Sequence, residues 1–173
     1  MSFAAWWAKL RPWVLVGAAL AVAFFVMPRW CRTPLLERGT SAPAFSLPRV
    51  DRPGERVTTA DLHGRRSVLF FWAVWCPACE RMLPGLAALA AERPDVLFLA
   101  IHSDGGVDPR SVAERASKSA AMVHVTGGDG ILGSWRASTF PTTYVLGADG
   151  RICDGFSGRT DPDDVAAAID ACR

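Results

Sequence analysis

Residues 67–92 read SVLFFWAVWCPACERMLPGLAALAAE. The first six residues form an intensely apolar run, which is typical of a strand buried on both faces of a sheet. From Cys76 onward, leucine and alanine recur at spacings of three and four residues, which predicts a helix over 76–91. Cys76 and Cys79 therefore stand where a buried strand gives way to a helix.

Strand-like and helix-like segments alternate through the rest of the chain. This order predicts an α/β fold with a mixed central sheet flanked by helices, in which crossovers join parallel strands and an antiparallel hairpin lies near the C-terminus. The segments are a strand and turn at 57–62, strands at 67–72, 96–101 and 122–125, helices at 109–120 and 130–136, hairpin strands at 142–146 and 151–156, and a last helix at 161–171.

Composition limits the kind of protein that the chain can be. Its 173 residues suit one domain with an appendage, and 50% hydrophobic residues exclude wholesale disorder. A net charge of +2 gives no reason to expect a nucleic-acid partner. Residues 1–39 carry five basic side chains and one acidic one, whereas residues 40–173 carry fourteen and sixteen. A basic, apolar head therefore precedes a mildly acidic body.

The head has the pattern of a membrane anchor. Residues 12–28 carry no charge and would form a helix about 25 Å long, near the lower limit for crossing a bilayer. Trp13 and Trp30 bracket the run, and Lys9 and Arg11 precede it, which keeps the N-terminus in the cytoplasm. The predicted organisation is a cytoplasmic N-terminus at 1–11, a transmembrane anchor at 12–28, a tether at 29–40 and a domain at 41–173.

A cleaved signal peptide is the alternative reading of the head. Ala21-Val22-Ala23 has the small residues of a cleavage site, although cleavage there would leave Phe24 at an apolar mature end. Either interpretation places the body in an oxidising compartment outside the cytoplasm.

The cysteine pair is the candidate reactive group. A helix N-terminus stabilises negative charge, so a thiol there ionises more readily than a free cysteine. Cys76 can then attack a disulfide, and Cys79, one turn deeper, can resolve the product. The alternative is a copper- or zinc-binding module that uses the same pair, but zinc needs two further ligands. The histidines occur singly, at His63, His102 and His124, and we predict no metal site.

Four segments resemble one known family. Residues 71–79 (FWAVWCPAC) resemble the active-site segment of thioredoxin-fold proteins, and Pro84 matches the kink proline of the helix after the redox pair. Residues 139–143 (TFPTT) resemble the cis-proline loop of that fold. Residues 42–47 (APAFSL) are similar to the start of the domain in membrane-anchored TlpA/ResA-type proteins, whose close relatives include cytochrome-c-maturation reductases and ScsD-type proteins.

This resemblance covers about residues 40–172. It implies a thioredoxin fold with an extra strand and helix at 122–136. It also implies a protein disulfide reductase in the periplasm, or another extracytoplasmic space, that exchanges disulfides with protein substrates. The electron donor would be a membrane protein, and the redox-active disulfide would be the only redox group. The residues it marks are Cys76 as nucleophile, Cys79 as resolving thiol, Trp75, Pro77 and Ala78 around them, Pro141 as the cis-proline, and Phe140 as the residue that presents a backbone edge to the substrate.

Two positions depart from the family pattern. Phe70 stands where thioredoxin has a buried aspartate, and Met82 stands where many anchored reductases have glutamate. Glu80 follows Cys79 directly and is a candidate for proton transfer, although a solvated acid in the first turn of a helix is the simpler interpretation.

The remaining signals concern single residues. Cys153 and Cys172 fall on elements that are neighbours in this fold, so the resemblance makes a structural disulfide possible, and Cys31 remains a lone thiol near the membrane. His102, at a strand end, could act as a base or have only a structural role. A thiol peroxidase is a further alternative, but Ala73 stands where peroxiredoxins place a hydroxyl residue.

Overall fold

The structure is a computed structural model that describes residues 13–17, 22, 34–103 and 106–172. The chain divides into two compact units, Met1–Pro34 and Leu35–Arg173. In the first unit, residues 13–17 and Val22 are helical, with exposed side chains. None of the helices in these described ranges is both long enough and apolar enough to span a bilayer. Most of the predicted anchor at 12–28, and Cys31, lie outside the described residues.

A five-stranded mixed sheet forms the centre of the second unit. Its strands, in their order across the sheet, are β5 (Val123–Val125), β4 (Leu97–His102), β3 (Ser67–Trp72), β6 (Thr142–Leu146) and β7 (Ile152–Ser157). Strand β3 runs parallel to β4, which runs parallel to β5, and β3 pairs with antiparallel β6, which pairs with antiparallel β7. The predicted mixed sheet is confirmed.

Strand β3 lies at the middle of the sheet because its side chains are apolar on both faces. All six of its residues are buried. Val68, Phe70 and Trp72 belong to one core cluster, and Leu69 and Phe71 belong to the other. This division follows from the alternation of side chains along a strand.

Three helices pack on the face that carries Trp72: α1 (Pro77–Glu92), α2 (Pro109–Lys118) and α3 (Pro162–Ala171). Each begins with proline, which is suited to the first helical position because its missing N–H would have no partner there. The residue before each proline caps the helix with its side chain; these capping residues are Cys76, Asp108 and Asp161.

The other face is covered by the N-terminal part of the unit. Strands β1 (Ser46–Pro48) and β2 (Arg56–Thr58) form an antiparallel pair, followed by a 3-10 helix at Thr59–Leu62. The segment at 35–40, which the sequence places in the tether, lies against this face. There, Leu36 N–H donates to the Tyr144 hydroxyl at 3.2 Å, and Gly39 N–H donates to the Ile152 carbonyl at 2.7 Å.

The prediction of a helix over 130–136 is wrong. A single 3-10 turn at Gly128–Ile131 is followed by turns as far as residue 136. Three glycines within 128–136, at positions 128, 130 and 133, disfavour a helix. Gly128 also has to be glycine, because a Cβ there would lie 2.9 Å from the His102 carbonyl oxygen, a backbone atom of β4.

Candidate active site

Cys76 and Cys79 are joined by a disulfide bond, with their Cα atoms 5.3 Å apart. Cys76 has an extended backbone conformation and is the N-cap of α1. Its sulfur accepts a hydrogen bond from the Cys79 N–H at 3.1 Å. The first turn of the helix therefore directs a backbone donor at the Cys76 sulfur, which would stabilise a thiolate there.

The two cysteines differ in their access to solvent. Cys76 is 4% exposed and Cys79 is fully buried. Pro77, between them, is exposed and Ala78 is half-buried. An incoming thiol therefore meets the Cys76 sulfur first, although only a small part of this residue is at the surface.

The loop before β6 holds the second part of the site. The Phe140–Pro141 peptide bond is cis, and Pro141 is buried. The Pro141 carbonyl accepts a hydrogen bond from Gly158 N–H at 2.8 Å, and the Thr142 hydroxyl donates to the Thr139 carbonyl at 2.6 Å. The first bond attaches the loop to the segment that follows β7, and the second lies within the loop itself.

An aromatic contact joins the two parts. The rings of Trp75 and Phe140 meet nearly edge to face, with centroids 5.6 Å apart and planes at 76°. Trp75 is 62% exposed, and it is the only large hydrophobic side chain that is exposed in the described part of Leu35–Arg173. Phe140 is half-buried and packs against the core cluster that contains both cysteines. The site thus presents an apolar surface beside Cys76.

Glu80 forms an ion pair with a residue on another helix. Both Nε and Nη2 of Arg115, in α2, donate to Glu80 Oε1, at 3.1 Å and 2.7 Å. The Arg115 side chain also donates to the Ser111 carbonyl within its own helix. Glu80 therefore connects the first turn of α1 to α2, a contact between residues 35 positions apart that the sequence did not indicate.

Two buried histidines lie against Trp72, the last residue of β3. The ring centroid of His102 is 5.1 Å from that of Trp72, and the ring centroid of His124 is 6.3 Å from it. His124 Nε2 is 2.9 Å from the Ser119 hydroxyl, and burial lowers the pKa of this imidazole. Both histidines end up beside one tryptophan because β3, β4 and β5 are neighbours, which single strand patterns do not reveal.

The other predicted cysteine pair is also bonded. Cys153 in β7 and Cys172, directly after α3, form a disulfide with Cα atoms 5.6 Å apart. Among the residues that the structure describes, no group of three or more His, Cys, Asp or Glu side chains is placed to hold a metal ion.

Comparison with known proteins places this architecture in a family. The family model described as Redoxin matches residues 37–169, so the chain belongs to the redoxin family. The chain is 29% identical over 124 residues to a thiol:disulfide interchange protein DsbE of Pseudomonas aeruginosa, covering 71% of this chain and 68% of the relative. It is 25% identical over 138 residues to a thiol-disulfide oxidoreductase ResA of Geobacillus kaustophilus, covering 78% of each.

Solved structures show the same fold. A secreted Mycobacterium tuberculosis disulfide oxidoreductase, described as homologous to Escherichia coli DsbE, superposes with a TM-score of 0.63 at 24% identity, over 73% of this chain and 95% of that one. The fold is therefore thioredoxin-like, as the resemblance implied. The chain is a thioredoxin-like redox enzyme.

Proposed function

We propose that this protein exchanges disulfides with protein substrates through Cys76 and Cys79, outside the cytoplasm and in the reducing direction. The observation that carries the proposal is the hydrogen bond from the Cys79 N–H to the Cys76 sulfur at the start of α1. It supports Cys76 as the sulfur whose anionic form the helix stabilises. Cys79, which is fully buried, is then the resolving thiol.

The exchange proceeds in two substitutions at sulfur. The Cys76 thiolate attacks one sulfur of the substrate disulfide, that disulfide breaks, and the other substrate sulfur leaves as a thiolate that takes up a proton. Cys79 then loses its proton and attacks the Cys76 sulfur, which releases the second substrate thiol. The substrate gains two electrons, and the enzyme ends as the disulfide seen here.

Trp75, Phe140 and Pro141 form the surface that receives the substrate. An extended substrate segment aligns with the backbone before Pro141, in the manner of an added strand. The ring of Trp75 covers the apolar residues next to the substrate cysteine. Pro77 and Ala78 set the turn between the two sulfurs, and Glu80 remains a candidate for proton transfer.

The location and the electron source belong to the same proposal. The uncharged run at 12–28 supports a single-pass anchor in the cytoplasmic membrane, with the redox domain in the periplasm or an equivalent space. The relatives named DsbE and ResA support thiol–disulfide exchange, and we infer that a membrane donor protein regenerates the reduced pair with two electrons per cycle. The redox-active disulfide is then the only redox group that the cycle needs.

The test compares cysteine variants of the purified domain on a model protein disulfide, with a dithiol as reductant. We expect Cys76→Ser to abolish reduction, whereas Cys153→Ser/Cys172→Ser, the matched control, retains it. Full activity of Cys76→Ser would refute the assigned nucleophile. The same preparations test the two alternatives: bound metal that survives dialysis, together with no exchange, favours a metal-binding module, and rapid peroxide consumption by Cys79→Ser favours a peroxidase.

A further inference from the structure

A groove of about 520 Å³ opens on α1, the helix that follows Cys76. It lies between the start of α1 and the segment that leads into α3. The residues that line it are Arg81, Met82, Arg159, Thr160, Asp161 and Pro162.

Hydrogen bonds connect this groove to both parts of the active site. Met82 is buried in the same core cluster as Cys79, and its sulfur accepts the Thr160 N–H at 3.3 Å. Two residues earlier, Gly158 N–H donates to the carbonyl of Pro141. One wall of the groove therefore belongs to the helix of the redox pair, and the other is attached to the cis-proline loop.

The groove carries available positive charge. Arg81 and Arg159 are exposed, and neither side chain forms an ion pair or a hydrogen bond with any residue in the described ranges. Several other arginines of the unit are paired, for example Arg66 with Asp95 and Arg93 with Asp170.

The one acid in the groove already has a partner. Asp161 caps α3, accepting the Asp163 N–H at 3.2 Å. Two arginines and one aspartate line the groove, so its lining carries a net charge of +1, although residues 40–173 carry more acidic than basic side chains.

We propose that this groove binds acidic side chains of the substrate protein, an inference that rests on the proposed function. These side chains would lie a few residues from the substrate cysteine that exchanges with Cys76. Arg81 is five residues after Cys76, a distance of about 7.5 Å along the helix axis. An extended chain advances about 3.3 Å per residue, so acidic residues two to four positions from the substrate cysteine reach the groove. Guanidinium groups bind carboxylates with two parallel hydrogen bonds when the geometry allows.

The experiment uses the full chain and pairs of disulfide-linked peptides that differ only in Asp or Asn at positions two to four from the cysteine. We expect the wild type to reduce the acidic peptide with a kcat/KM roughly five- to tenfold higher at low salt, and the preference to shrink as salt screens the charges. Arg81→Gln/Arg159→Gln should bring the ratio of the two kcat/KM values close to one.

Two controls make the outcome specific. Arg110→Gln removes an exposed arginine on α2 that forms no ion pair with a described residue and lies outside the groove, and it should keep the wild-type ratio. Peptides with the acidic residues eight positions away should show no preference. An unchanged ratio in Arg81→Gln/Arg159→Gln, or an equal loss in Arg110→Gln, would overturn the proposal. Failure of the proposed function would look different, because Cys76→Ser would then still reduce the neutral peptide.

Discussion

The rings of Trp75 and Phe140 lie 5.6 Å apart, nearly at right angles. Trp75 directly precedes Cys76, the proposed nucleophile, and Phe140 directly precedes the cis-proline. This contact brings the two segments of the site together in one apolar surface. Because Trp75 is 62% exposed, that surface is free to contact a protein substrate.

Removing the indole ring of Trp75 should weaken substrate binding more than it slows the thiol–disulfide exchange step. We expect Trp75→Ala to lower kcat/KM for a protein disulfide about fivefold to tenfold, because an aromatic contact contributes roughly 1 kcal/mol beyond its buried area. The change should appear mainly in KM. Thermal unfolding serves as the control, since an exposed side chain supports little of the core. An unchanged KM would contradict a docking role for Trp75.

The second disulfide should contribute to stability. Cys153 and Cys172 are 19 residues apart, and a cross-link of that size stabilises a domain by about 3 kcal/mol through the entropy of the unfolded chain. Cys153→Ala/Cys172→Ala should therefore lower the free energy of unfolding by about this amount in urea titrations. Disulfide reductase activity at 25 °C should persist. A variant as stable as the wild type would show that this bond does not constrain the unfolded chain.

His124 should make the domain sensitive to mild acid. Burial lowers its pKa below the ordinary value of 6.5, while a nearby charge, Asp51, opposes the shift. Below pH 6.5 the unfolded chain therefore binds a proton at this histidine that the folded chain does not bind. The free energy of unfolding therefore decreases as the pH falls below 6.5, until the pH reaches the pKa of His124 in the folded protein.

The measurement is the free energy of unfolding between pH 7.5 and pH 5 in the wild type and in His124→Gln. The glutamine amide can keep a hydrogen bond to Ser119 but does not titrate. We expect a shallower decline with falling pH in the variant. Parallel curves for the two proteins would show that His124 does not cause the acid sensitivity.

The ion pair between Glu80 and Arg115 should have a small energetic effect. The Glu80 side chain is 52% exposed, so solvent screens the pair, and a double-mutant cycle with Glu80→Gln and Arg115→Gln should give a coupling of about 0.2–1 kcal/mol. The same variants separate the two roles considered for Glu80. A pH–rate profile that changes in Glu80→Gln would assign proton transfer to this carboxylate, whereas an unchanged profile would leave Glu80 with the ion pair alone.

Local patterns made the centre of the site predictable. The apolar run of β3 and the helical spacing after Cys76 determine where the cysteine pair lies, and both features are contained within residues 67–92. The cis-proline loop and the second disulfide were indicated by resemblance, not by the residues alone.

Contacts between distant segments were not predictable. The Glu80–Arg115 pair joins two helices, and the packing of His102 and His124 on Trp72 depends on the order of three strands. The pairing of β1 with β2 was missed for a similar reason: each strand is only three residues long. Such contacts arise from the assembled fold and leave no periodic signal in the sequence.

Trapping the covalent intermediate tests the assigned roles most directly. In Cys79→Ala the resolving thiol is absent, so a substrate disulfide should remain linked to the protein, and peptide mapping by mass spectrometry should find the link at Cys76. Cys76→Ala should trap little or no substrate under the same conditions, because Cys79 is fully buried. Equal trapping at Cys79 in Cys76→Ala would contradict the assignment of Cys76 as the attacking sulfur.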